Sequence, residues 1–110
     1  MRMLLLVLSM LGCITPKRVQ QSETRTKLGT AYLREGSAPD AVLSLREAVK
    51  LNPQNATAWE RLGLAYMASG ALDESAVAFQ KALRLADQDL GRVHYNYGLL
   101  HLKAKQYELA

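Results

Sequence analysis

Apolar positions along this chain fall into two patterns. Between residues 56 and 69, Trp59, Leu62 and Tyr66 recur in steps of three and four with Met67 adjoining, which is the spacing of one helix face. Between 72 and 85, Ala76, Phe79, Ala82 and Leu83 do the same. Gly70 separates the runs as a C-terminal stop, and Asp73 with Glu74 suits the positive end of the second helix. So short a turn predicts two antiparallel helices. The first thirteen residues, MRMLLLVLSMLGC, behave differently. Met3 to Leu11 are almost unbroken in apolarity, with no amphipathic period and a basic residue, Arg2, ahead of them. That order and length match a secretory signal and are too short to cross a bilayer; the alternative is a buried N-terminal element.

The helical pair recurs. KLGTAYLREGSAPDAVLSLREAVKLNPQN begins at Lys27, and RLGLAYMASGALDESAVAFQKALRLADQD begins thirty-four positions later at Arg61. Leu28, Gly29, Tyr32, Gly36, Leu45 and Ala48 align with Leu62, Gly63, Tyr66, Gly70, Phe79 and Ala82. A third copy opens with NYGLLHLKAKQYELA, where Gly98 lies thirty-five after Gly63; the slip falls in the turn-rich ADQDLG. Pro39 starts the second helix of the first unit and LNPQN closes it. Gly63 sits mid-helix, where glycine costs about 1 kcal/mol relative to alanine. The expected offset is close approach of the paired helix, with the small residues Ser75 opposite Gly63 and Ala41 opposite Gly29.

These residues resemble the tetratricopeptide repeat, whose signature W-x2-L-G-x2-Y…A-x3-F…P is met by Trp59, Leu62, Gly63, Tyr66, Phe79 and Ala82 in the second unit. Ser75 and Asp87 depart from the usual alanine and proline there. The first unit carries Leu28, Gly29, Tyr32, Ala41, Ala48 and Pro53, with Arg25 and Leu45 replacing the aromatics. In the third, His94 and His101 do so beside Gly98 and Ala110. The resemblance implies an all-α fold: antiparallel helix-turn-helix repeats over 22–55, 56–90 and part of a third over 91–110, stacked as a right-handed superhelix of about two and a half repeats. It also implies a concave groove lined by each unit's first helix, which takes a protein or peptide partner. Carried over position by position, that partner groove comprises Lys27, Thr30, Arg34, Arg61, Leu64, Met67, Tyr95, Asn96, Leu99 and Leu102. Stacking also buries apolar side chains, so these leucines and Met67 stand equally as inter-repeat core. Some members grip a C-terminal carboxylate with lysine and asparagine in the first repeat; Thr26 and Thr30 occupy those positions here, so that clamp is absent.

Composition adds little to the fold and more to the setting. The net charge of +4 is scattered, with Lys17-Arg18 the only adjacent basic pair, which is too little for a nucleic-acid footprint. Catalysis finds no nucleophile–base pair, and His94 and His101, seven apart without a third ligand, make no metal site. No cofactor is implied. Cys13 is the one cysteine, so no internal disulfide forms. MLGC resembles the lipobox of bacterial lipoproteins, which implies cleavage after residue 12 and a lipid on Cys13, with Met10 and Leu11 departing from the commonest pattern. Residues 13–21 then form an anchor and a polar, irregular tether from Ile14 onward, interrupted by Pro16. A lipobox, a short tether, immediate entry into the first repeat and the HYNYGLLHLKAKQYELA opening together resemble the type IV pilus biogenesis lipoproteins, or pilotins. That resemblance implies a non-catalytic adaptor in the bacterial cell envelope, on the outer membrane and facing the periplasm, with a secretin subunit as partner. The alternatives are a general envelope-assembly scaffold or the N-terminal interaction part of a larger protein. The third unit stops where its second helix should begin, so the sequence reads as part of a longer protein or a fragmentary gene, with a last helix expected to fray from residue 90.

Overall fold

The structure, a computed structural model, describes residues 14–86 and 90–109. The leader over 1–12, Cys13, Asp87 and Ala110 lie outside these. Five helices follow one another: α1 (Pro16–Glu35), α2 (Ala38–Leu51), α3 (Ala56–Ala68), α4 (Leu72–Leu85) and α5 (Leu90–Leu109). No strand occurs among the described residues, and the architecture is the all-α stack of helical hairpins that the repeat predicts.

Helix α1 begins earlier than its repeat. Pro16 occupies the first turn, where its missing N–H costs nothing, and the Thr15 hydroxyl accepts from the Arg18 amide at 3.2 Å. The Arg18 guanidinium donates to the carbonyls of Lys50 and Leu51 at 3.0 and 3.2 Å, placing a cation at the negative end of α2. Residues 16–21 are therefore helical, against the irregular tether expected from 14 to 22, because their first turn docks on the end of α2.

Antiparallel pairing shows in the register of side-chain bonds. Ser22 Oγ donates to the Ala48 carbonyl at 2.7 Å and Ser44 Oγ to that of Arg25 at 2.8 Å, so α2 runs back along α1. The turns are made by Gly36 and Gly70, both left-handed at φ 79° and 80°. In each, the following amide bonds back to the carbonyl of Tyr32 or Tyr66 at 2.9 Å, closing the helix end. Thirty-five residues beyond Gly70 stands Lys105, whose side chain disfavours that conformation, and α5 runs straight through it to Leu109.

Two apolar clusters hold the stack. One gathers Ala41, Leu45 and Ala48 of α2 with Ala58, Leu62 and Ala65 of α3 and Ala78 of α4. The other joins Phe79 and Ala82 of α4 to Val93 and Leu100 of α5. On α4 the fully buried residues are Ser75, Ala78, Phe79 and Ala82, while Ala76 and Leu83, which the spacing places in the core, are only half-buried.

Gly29 and Gly63 are explained by large side chains rather than by small ones. A methyl group on Gly63 would lie 2.7 Å from Cδ1 and Cε1 of Phe79, and one on Gly29 would strike the Leu45 side chain. Leu45 of α2 and Phe79 of α4 thus lie directly over the backbones of α1 and α3. Ser75 is near Gly63 as expected, but as a donor, its hydroxyl reaching the Gly63 carbonyl at 2.6 Å. At Gly98 nothing lies within 4 Å.

Candidate protein-binding face

The first helices of the three units, α1, α3 and α5, lie side by side and parallel. Asn55, the N-cap of α3, accepts from the Ala58 amide through Oδ1 at 3.0 Å. Its Nδ2 donates to the hydroxyls of Ser22 at 2.9 Å and Thr26 at 3.2 Å on α1. Those hydroxyls spend their own protons on the carbonyls of Ala48 and Ser22, so each serves as donor and acceptor. The joint between α3 and α5 is ionic. Glu60 is 1% exposed and accepts from Arg92 through Nε and Nη2, the shortest contacts at 2.9 Å, and from Asn96 Nδ2 at 2.9 Å. A buried carboxylate is tolerable only with such donors around it. Farther along, Lys103 Nζ donates to the Met67 carbonyl at 2.9 Å. Bonds running 60 to 92, 60 to 96 and 67 to 103 fix the parallel register. Glu60 stands next to the groove position Arg61 along α3, and it is buried because α5 closes over it.

The expected groove residues divide accordingly. Lys27 and Arg34 are exposed on α1. Thr30 is half-buried and gives its hydroxyl to the Thr26 carbonyl at 2.8 Å. Arg61 is half-buried, and its Nε is shielded from solvent without a hydrogen-bond partner. Leu64 and Met67 pack against the Phe79–Val93–Leu100 cluster, so their main work is inter-repeat packing. Asn96 is only 8% exposed and committed to Glu60, which makes it a joint residue and not an open groove position. Leu99 is half-buried, whereas Tyr95 and Leu102 are 66% and 61% exposed. Tyr95 occupies the position that Thr26 and Glu60 hold in the earlier units, where the next helix covers them. Cys13 lies outside the described residues.

Lys27 and Arg61 occupy equivalent positions on neighbouring parallel helices, so two cations stand in a row with Arg34 two turns along. Glu23 stands one turn before Lys27 on α1, and Glu60 is turned into the joint with α5. The two histidines are exposed, and His101 sets its ring edgewise to Tyr97 at 4.6 Å. Among the described residues no group of three His, Cys, Asp or Glu side chains is arranged to hold a metal. No described helix is long and apolar enough to cross a membrane.

A family model of the tetratricopeptide repeat matches residues 26–89, more than half of the chain. The chain belongs to the tetratricopeptide repeat family. Its matched span begins within α1 and takes in the rest of that helix with α2, α3 and α4. Tetratricopeptide repeats are typically non-catalytic scaffolds that bind protein partners, and the first-helix face of this one carries exposed Lys27 and Arg34 on α1 and half-buried Arg61 on α3. No curated protein matches the chain.

Proposed function

We propose that this tetratricopeptide repeat protein is a lipid-anchored adaptor of the bacterial envelope, which holds a partner on the face formed by α1, α3 and α5 and assists type IV pilus secretin assembly. The partner segment presents acidic side chains to Lys27, Arg34 and Arg61 and apolar ones to Leu99 and Leu102. The observation that supports the binding reading is the row of cations Lys27, Arg34 and half-buried Arg61 across α1 and α3, with Leu102 of α5 61% exposed on the same side. Each exposed ion pair formed by Lys27 or Arg34 with an acidic partner segment contributes about 0.2–1 kcal/mol. The anchor and the address rest on MLGC at Cys13 and on the order of lipobox, short connection and first repeat. Two measurements test the reading. Palmitate labelling should mark the wild type and miss Cys13→Ser; an unlabelled wild type removes the anchor. Deletion should deplete outer-membrane secretin multimers, and intact multimers leave a scaffold with another partner.

A further inference from the structure

Helix α3 has a second side. Opposite Arg61 and Leu64, its residues Trp59, Leu62 and Tyr66 form the floor of a cleft of about 430 Å³ whose walls are α2 and α4. That volume is within the range of about 300–1,000 Å³ typical of ligand sites. The floor is apolar, and the α4 wall adds Val77, which is 51% exposed and stands between Asp73 and Lys81 on the otherwise polar outer stripe of that helix. The rims carry opposite signs. Arg46 and Lys50, one turn apart on α2, stand on one side, and Asp73 and Glu74, in the first turn of α4, stand on the other; all four are exposed. No salt bridge joins the rims in the described residues, where the one ion pair is Glu60 with Arg92.

From this we infer that the cleft between α2 and α4 is a second protein-docking site, and that its occupant is an amphipathic helix of a partner protein, with an apolar stripe flanked by acidic residues on one edge and basic residues on the other. Three features select it. The walls are helices whose backbone donors and acceptors are already used, so an extended strand finds no partners for its own backbone, whereas a helix satisfies itself. Trp59 to Tyr66 spans about two turns, some 10 Å at 1.5 Å per residue, which admits a pair of apolar anchors one turn apart. Rims of opposite sign reward an occupant with opposite edges and penalise one whose edges are alike. A like-charged pair of edges always faces one repulsive rim.

The test uses the full chain and three labelled sixteen-residue helical peptides sharing one leucine stripe. One has a glutamate edge and a lysine edge, one has glutamate on both, and one has lysine on both. Trp59 is the only tryptophan and lies on the cleft floor with Lys81 Nζ 4.3 Å from its ring centroid, so an emission shift that is lost in Val77→Arg reports occupancy of this cleft. The mixed-edge peptide should bind about tenfold more tightly than either uniform one, with a shift in Trp59 emission. Val77→Arg should weaken it at least tenfold while the circular dichroism stays unchanged, since the side chain is half in solvent already. Arg46→Glu with Lys50→Glu should invert the preference towards the lysine peptide. Equal binding of all three peptides, or an unchanged affinity in Val77→Arg, overturns the proposal. So does concentration-dependent self-association lost in Val77→Arg, which gives the cleft to a second copy. Tenfold tighter peptide binding by a chain lacking residues 1–12 overturns it too, and gives the cleft to the leader.

Discussion

Replacing Gly63 and Gly98 with alanine, one at a time, makes the same change at equivalent positions of consecutive repeats and should move stability in opposite directions. At either site alanine gains about 1 kcal/mol of helix propensity. At Gly63 the new methyl would lie 2.7 Å from two ring carbons of Phe79, a residue with no solvent exposure. The ring cannot swing into solvent, and the Ser75 hydroxyl holds α4 against the Gly63 carbonyl at 2.6 Å, so the helix cannot retreat without losing that bond. Overpacking of a tight core costs about 1–3 kcal/mol. With a rigid aromatic ring the upper part of that range applies, so Gly63→Ala should lose about 1–2 kcal/mol net of propensity. At Gly98 no atom lies within 4 Å, and the gain of about 1 kcal/mol remains. Urea unfolding followed by far-ultraviolet circular dichroism should separate the two variants by about 2–3 kcal/mol. Slower hydrogen exchange in α5 should accompany Gly98→Ala even where that helix opens on its own. The double variant Gly63→Ala/Phe79→Ala should lose less than the sum of its singles, because the ring that causes the clash is gone. A Gly63→Ala protein as stable as the wild type would refute the packing argument, and so would a destabilised Gly98→Ala.

Other expectations concern the joints and the last helix. Arg92→Met strips the charged partner from a carboxylate that is 1% exposed and should cost about 3 kcal/mol in urea unfolding. Adding Glu60→Met should recover part of that loss, and strict additivity in the cycle would argue against the ionic joint. Asn55→Ala should cost about 2 kcal/mol, because it removes both a helix cap and the bridge to Ser22 and Thr26. Asn55→Ser keeps the cap and should lose about 1 kcal/mol less; equal losses would mean that the bridge contributes nothing. In α5, amide protection should be greatest around Val93 to Leu100, which touch the core, and should fall towards 109, where Leu102, Tyr107 and Leu109 are exposed. Uniform protection across residues 90–109 in a monomer would contradict this.

The chain's own periodicity was enough to place α3 and α4 to within a residue, because their apolar spacing, Gly70 and the acidic first turn of α4 are all local signals. The thirty-four-residue self-similarity was likewise enough for the repeat architecture, since each hairpin has an apolar face that only another hairpin can cover. What local pattern could not decide were effects of distant partners. Pro16 and the polar residues after it read as irregular chain until Arg18 meets the carbonyls of Lys50 and Leu51. Gly63 signalled a close approach, but only the fold identifies Phe79 as the side chain that fills it. Glu60 and Asn96 occupy positions shared with open groove residues, and the arrival of α5 turns them into a buried joint instead. Burial and pairing depend on what packs across from a residue, and helical spacing specifies only the side on which it stands. That is why the sequence by itself determined the repeat and its faces, while the tertiary structure alone decided which faces are closed and which remain to bind.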